Sequence, residues 1–208
     1  MHTRSLPAAM LIALAPFAPA RAEEPLSDAQ RIARVQAYSA ALERHDYEAA
    51  QSYLSPDARA WYDKKEGEGE PEKAGAGTWT HWDTYFHGKT TRSDWRVEDG
   101  AVVASASETN DYYRLLDWKP WPMRFTWWLD GSGKITGFLV QSLPRKGSTG
   151  SRFKDAVAWA KGKHPEEIAY LMPKERIDPT ADRAERWHKL LVEWRKEAGL
   201  PEVKIEPR

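Results

Sequence analysis

The spacing of apolar residues changes period twice along this chain, and those changes divide it. Ile32, Val35, Tyr38 and Leu42 recur at helical spacing behind Ser27-Asp28-Ala29-Gln30, a capping box, and predict a helix to Arg44. Asp46 is placed to cap a shorter helix, Tyr47–Leu54, which Ser55-Pro56-Asp57 ends, and Arg59–Tyr62 reads as a short strand. Trp79, Trp82 and Phe86 fall on one face of a third helix, Thr78–Gly88, with Asp83 beside Trp82. The intervening Asp63–Gly77, charged and glycine-rich, predicts a solvated connector.

From Ser93 the period becomes two. Asp94–Glu98 and Ala101–Tyr113 predict strands joined at the Asp99-Gly100 turn, and Met123–Asp130 and Lys134–Leu143 predict two more around Gly131-Ser132-Gly133. Between them Leu115–Pro122 is an irregular corner, because Pro120 and Pro122 have no N–H for a ladder. After a linker, Pro144–Ser151, helical spacing returns in Phe153, Val157 and Ala160, in Pro165–Met172, and in Trp187, Leu190, Leu191, Trp194 and Ala198. Three helices, then four antiparallel strands, then further helices predict an α+β fold.

Strand parity points to a site within Ser107–Trp128. One face of the long strand carries Ala104, Ala106, Glu108, Asn110 and Tyr112; the other carries Ser105, Ser107, Thr109, Asp111 and Tyr113, as a solvated face would. With the first face inward, Glu108 is a carboxylate in an interior, which needs a partner or a raised pKa. Phe125, Trp127 and Leu129 share a face of the next strand. Both faces of the last two strands are apolar, so their outer face needs a cover. The C-terminal helices are expected to supply it, with Trp159, Trp187, Leu191 and Trp194 against Trp128, Phe138 and Val140. Homodimerisation through the same face is the competing account.

Composition narrows the function classes. The 208 residues hold 31 basic and 31 acidic side chains and no cysteine. There is no basic excess to bind nucleic acid, and thiol catalysis, disulfides and cysteine metal sites are excluded. Met1–Arg4 is a short basic segment, Leu6–Ala20 an apolar run too short to span a bilayer, and Ala20-Arg21-Ala22 a cleavage pattern. Residues 1–22 are therefore expected to be a signal peptide, and the protein periplasmic or secreted, with no membrane span. His81 and His87 are six apart, so one helix cannot present both to a metal, and neither a metal nor a cofactor is expected. Neither a phosphate loop nor a nucleophile elbow is present.

The order of elements, with RVQAYSAALERHDYEAAQSYLSPDA, WTHWDTYF and WWLDGSGKITGFLVQ, resembles the nuclear transport factor 2-like, or SnoaL-like, superfamily over Ser27–Leu143. The resemblance implies a cone-like curved sheet packed on three N-terminal helices in residues 23–144. Residues 145–208 form a linker and helical extension outside the usual fold, like tails on exported members of the superfamily. It also implies a conical pocket, used within the superfamily by isomerases, cyclases, dehydratases and epoxide hydrolases or for binding alone; fold does not settle which.

Within such a cone, proton transfer needs a carboxylate base in apolar surroundings and a donor for the developing oxyanion. Glu108 or Asp83 is the candidate base and Tyr112, Tyr85 or Asn110 the donor; Trp79, Trp82, Phe125 and Trp127 are candidate walls. Three functions stay open: binding of a small apolar or cyclic ligand, metal-independent lyase or isomerase chemistry in the same pocket, and a protein-interaction module with a filled pocket.

Overall fold

The computed structural model describes residues 25–63, 71–75, 78–144 and 150–205, without the side chains of 78–81 and 150. The expected signal peptide lies outside the described residues. Helix α1 (Asp28–Glu43) starts at the Ser27–Gln30 capping box and buries Val35, Tyr38 and Ala41. Asp46 caps α2 (Tyr47–Tyr53) by accepting the Ala49 N–H.

The strand that follows is longer than its sequence suggests. β1 spans Leu54–Tyr62 and contains Pro56, which falls in a break of register between Leu54 and Arg59. A bulge is where a residue without an N–H does least harm to a ladder. β2 (Glu72–Lys73) pairs with β1, and α3 (Thr78–Tyr85) follows.

The remaining strands are β3 (Lys89–Glu98), β4 (Ala101–Thr109), β5 (Trp121–Leu129) and β6 (Ile135–Ser142). The order in the curved, open sheet is β2-β1-β6-β5-β4-β3. β1 runs parallel to β6 and the other pairings are antiparallel, so the sheet is mixed. Asp99 and Gly100 turn β3 into β4 with φ of 49° and 79°, the signature of a type I′ hairpin. β3 begins at Lys89, directly after Gly88, and not at Ser93. A bulge between Ser93 and Arg96, with Asp94 at φ 54°, brings Trp95 onto Trp127, ring centroids 5.5 Å apart.

β4 stops at Thr109, four residues earlier than alternation predicts. Asn110 leaves the strand and caps a short helix, α4 (Asp111–Leu115), by accepting the Tyr113 N–H at 2.8 Å. An asparagine side chain can offer the backbone a cap in place of a ladder, and here the cap wins.

The C-terminal elements are α5 (Gly150–Lys163), α6 (Pro165–Leu171), a 3₁₀ turn at Pro173–Glu175 and α7 (Ala181–Glu197). They do not cover the outer face of the sheet through Phe138 and Val140, which line the cone interior. They pack on α3 and α4 instead. Trp187, Leu190, Leu191 and Trp194 of α7 share one core with Trp82, Phe86, Tyr112, Leu115 and Leu116. Trp128 on the outer face is met by Trp61 of β1, edge to face at 5.8 Å, beside Gly137.

The fold therefore has two interiors. The first, between α1 and the concave sheet, holds Val35, Tyr38, Val102, Ala104, Trp127 and Phe138. The second joins the C-terminal helices to α3 and α4. Arg195 ties the extension to the corner after β4. Its Nη1 donates to the Leu115 carbonyl (2.7 Å) and Asp117 (2.9 Å), while Nε and Nη2 donate to the Pro201 carbonyl (3.1 and 2.8 Å).

Candidate functional site

The sheet and the helices in front of it enclose a cavity of about 350 Å³. Register decides which side chains enter it. Val102, Ala104, Ala106 and Glu108 of β4 stand opposite Trp127, Phe125, Met123 and Trp121 of β5, so one face carries the small residues, the aromatics and the carboxylate together. Ala104 and Ala106 keep the floor low. Phe125 and Trp127 stack at 5.2 Å, and Phe138 of β6 meets Tyr38 and Tyr62, each at 6.4 Å. These rings are the apolar wall.

The polar groups come from three directions. Glu108 stands at the end of β4, where its Oε1 accepts from the Tyr113 hydroxyl at 2.9 Å and from the Asn110 amide at 3.4 Å. Burial holds its pKa above the ordinary carboxylate value, opposed by the Tyr113 bond and by Arg92. Asp83 projects from α3 into the same cavity. Burial and then the neighbouring Glu108 charge push its carboxyl up to about 7. Arg92 of β3 lies over the Phe125 ring at 5.1 Å and donates to Glu43 at 3.0 Å. Burial lowers its pKa, opposed chiefly by Glu43. The Tyr62 phenol is pushed up to about 12 and that of Tyr38 is also raised, both mainly by burial, so both remain O–H donors at neutral pH.

The residues singled out from the sequence separate here. Glu108, Asp83, Phe125 and Trp127 line the cavity. Asn110 is buried beneath it, as the cap of α4 and a donor to Glu108. Tyr112 is on α4 and not on a strand, and its ring lies in the second core against Trp82 (5.0 Å) and Trp187 (6.0 Å). Trp82 is in that core too, and the Trp79 side chain is outside the described residues. Tyr85 bonds His188 at 2.9 Å, away from the cavity.

Tyr113 enters the cavity although strand parity assigned it to the solvated face; the helical turn at Asn110 rotates it inward. Arg92, Tyr38 and Tyr62 were also missed. Thr90 pairs with Glu108 and Arg92 with Ala106, so extending β3 back to Lys89 would have placed Arg92 on the floor.

A second groove, about 860 Å³, runs between α7 and the residues after it. Its buried cation, Arg195, is committed to Leu115, Asp117 and Pro201, and His188 to Tyr85.

The curved, open six-stranded sheet and its helices form an α+β fold consistent with the nuclear transport factor 2-like cone. An NTF2-like protein of unknown function from Cytophaga hutchinsonii is similar at 16% identity over 55% of this chain and 91% of its own, with a TM-score of 0.41. A cystatin-like-fold protein of unknown function from Methylobium petroleophilum is similar at 13% identity over 60% and 83%, TM-score 0.47. An epoxide hydrolase/cyclase-like enzyme, SalBIII, with a role in pyran ring formation in the polyether salinomycin, is similar at 12% identity over 55% and 92%, TM-score 0.45. No protein-family model and no curated protein matches the chain. At these identities and scores the likeness says nothing of chemistry, which stands on the cone's own residues. Among the described residues, no three His, Asp or Glu side chains are grouped to hold a metal, and no helix is long and apolar enough to cross a membrane.

Proposed function

We propose that the protein, exported by its N-terminal segment, binds a small ring-containing molecule in the cone and moves a proton on it without a metal. The carrying observation is Asp83, a carboxyl pushed up to about 7 by burial and Glu108, in an aromatic-walled cavity that Arg92, Tyr38 and Tyr62 also line. A base works best when its pKa is near the working pH, and this one is held there by burial and by Glu108. In this reading Asp83 takes a proton from a carbon next to a carbonyl. Arg92, Tyr38 and Tyr62 supply the positive charge and O–H groups that steady the oxyanion formed. Phe125 and Phe138 hold the ring and exclude water, with Trp127 packed behind Phe125. Glu108, fixed by Tyr113 and Asn110, tunes Asp83 by its charge.

Binding without turnover is the second reading, favoured by the ion pair that commits Arg92 to Glu43. Hydrogen–deuterium exchange separates the two. Cyclohexanone, 2-tetralone and 2-cyclohexenone in deuterated buffer are expected to gain deuterium at the α-carbon faster with protein than without. Asp83→Asn should return the rate to background. Exchange that is unchanged by that substitution sinks the proton-transfer assignment, and ligand binding without any exchange favours the second reading.

A further inference from the structure

Asp83 is held at the point where α3 stops. The Gly88 N–H reaches back to the Asp83 carbonyl at 2.7 Å, and His87, just before Gly88, lies at φ 51°. A left-handed residue followed by an N–H bonded back into the last turn is a Schellman stop. Glycine ordinarily takes the left-handed position of such a stop, and here it stands one place later.

Space explains the glycine. A β-carbon on Gly88 would lie 2.9 Å from Cβ of Asp83 and 3.2 Å from its Cα and Cγ. Atoms so near the backbone have no flexible tail to swing aside, so any side chain at 88 moves the root of Asp83 itself. Lys89 opens β3 directly afterwards, paired with Thr109, and the stop has no loose residue to take up the shift.

His87 carries the strain that glycine would avoid. A side chain at positive φ is disfavoured unless its surroundings hold it. Its Nδ1 donates to Oδ2 of the buried Asp111 at 2.7 Å, and the Asp111 N–H donates to the Phe86 carbonyl at 2.7 Å. The other Asp111 oxygen accepts from Nη1 of Arg114 at 2.7 Å, and Arg114 Nη2 donates to the Lys204 carbonyl at 2.8 Å. His87, Gly88, Asp111 and Arg114 all stand outside the lining of the cone cavity.

We infer that Gly88 and His87 are positioning residues for Asp83: Gly88 leaves the space that the root of the Asp83 side chain occupies, and the His87–Asp111 pair locks the stop that aims it into the cone. The catalytic side of this role rests on Asp83 being the base proposed above; the placing of Asp83 does not.

Gly88→Ala, His87→Gly and Gly100→Ala are compared with the unchanged protein by α-deuteration of 2-tetralone, by the Kd of 2-tetralone, by carboxyl ¹³C titration of Asp83 and by thermal melting. Gly100 stands at φ 79° with nothing within 4 Å of a β-carbon, and it is outside the cavity lining. Alanine there strains the turn, so it should lower the melting temperature and leave exchange and the Asp83 titration unchanged. Gly88→Ala should cut exchange about 10- to 100-fold with Kd held within about twofold, the loss expected from misplacing a reacting group by about 1 Å. It should also displace the Asp83 midpoint from about 7. His87→Gly keeps the left-handed backbone and removes the bond to Asp111. It should cut exchange about threefold to tenfold with little change in melting, which a residue serving stability alone would not do. If Asp83 exchanges and titrates as before in both variants, the inference is overturned. If the unchanged protein catalyses no exchange, the base assignment fails and the titration alone decides the placing: a displaced midpoint in Gly88→Ala upholds it, an unmoved one overturns it. If Gly88→Ala does not melt cooperatively, His87→Gly decides by the same readings.

Discussion

Trp82 and Asp83 are adjacent on α3 and face different interiors. The Trp82 side chain is 2% exposed, in the core built with the C-terminal helices, whereas Asp83 lines the cone cavity. The extension thus anchors the helix that presents the cavity's most perturbed carboxyl. Replacing Trp82 by alanine should cost about 3–5 kcal/mol, the usual range for a large buried aromatic. It should also loosen α3, admit water and lower the Asp83 pKa from about 7 toward its ordinary value. Urea denaturation and carboxyl ¹³C titration read the two effects, and a stability loss with an unmoved Asp83 would separate the two interiors.

Asp83 should leave a signature in the pH dependence of stability. Its folded pKa is about 7 against an ordinary 3.8, so the native state holds this proton where the unfolded chain has released it. Stability from this group is fully present below about pH 4, falls as pH rises through about 7, and is level above it. The loss is on the order of 4 kcal/mol at most, at about 1.4 kcal/mol per pH unit. Asp83→Asn should flatten this slope and stabilise the protein above pH 8. Thermal melts from pH 4 to 9 check it; equal slopes in both proteins would show Asp83 ionising as an exposed carboxylate does.

How much of this could be read in advance depends on whether a signal is local. The α1 cap, the Asp99-Gly100 hairpin and the Phe125/Trp127 face are set by residues a few positions apart, and they stand where the pattern places them. The end of β4 is not local: Asn110 suits a strand or a cap, and burial of Tyr112 and Leu115 against α7 selects the cap. The stripe on α7 specifies that Trp187, Leu191 and Trp194 are covered, but an amphipathic face does not name its partner. That is why the sheet's outer face was the wrong destination for the extension. Glu108 and Asp83 were visible as carboxylates among aromatics. Arg92 was hidden by a bulge at Asp94, which interrupts the alternation of β3 and masks its first half.

Arg195 tests whether the extension is integral to the fold. It is buried, and it donates to Leu115, Asp117 and Pro201. Alanine there removes the donor to the Leu115 and Pro201 carbonyls, while Asp117 keeps Arg152 at 3.5 Å, and should cost about 3 kcal/mol; lysine, whose donors sit on a single nitrogen, should recover only part of it. A single cooperative unfolding transition, shifted in Arg195→Ala, is the expected result. Two transitions, with only the second core affected, would mean that the extension unfolds alone.

The last prediction concerns Tyr113, which holds Glu108 from a helix that alternation did not foresee. The hydroxyl-to-carboxylate bond at 2.9 Å favours the charged form of Glu108. Phenylalanine removes the donor and keeps the ring. The Glu108 pKa should then climb further, and as Glu108 becomes neutral its push on Asp83 weakens, so the Asp83 pKa should fall. The two carboxyls titrate as a coupled pair, and the substitution should move their apparent values in opposite directions. Loss of the bond should cost about 1 kcal/mol at pH 7. Carboxyl ¹³C titration of Tyr113→Phe measures both shifts at once. If both values rise together, desolvation alone controls the pair; if neither moves, a water has taken over the role of the hydroxyl. The first result would remove Glu108 as the residue that tunes Asp83, and the second would remove Tyr113 as the group that holds Glu108.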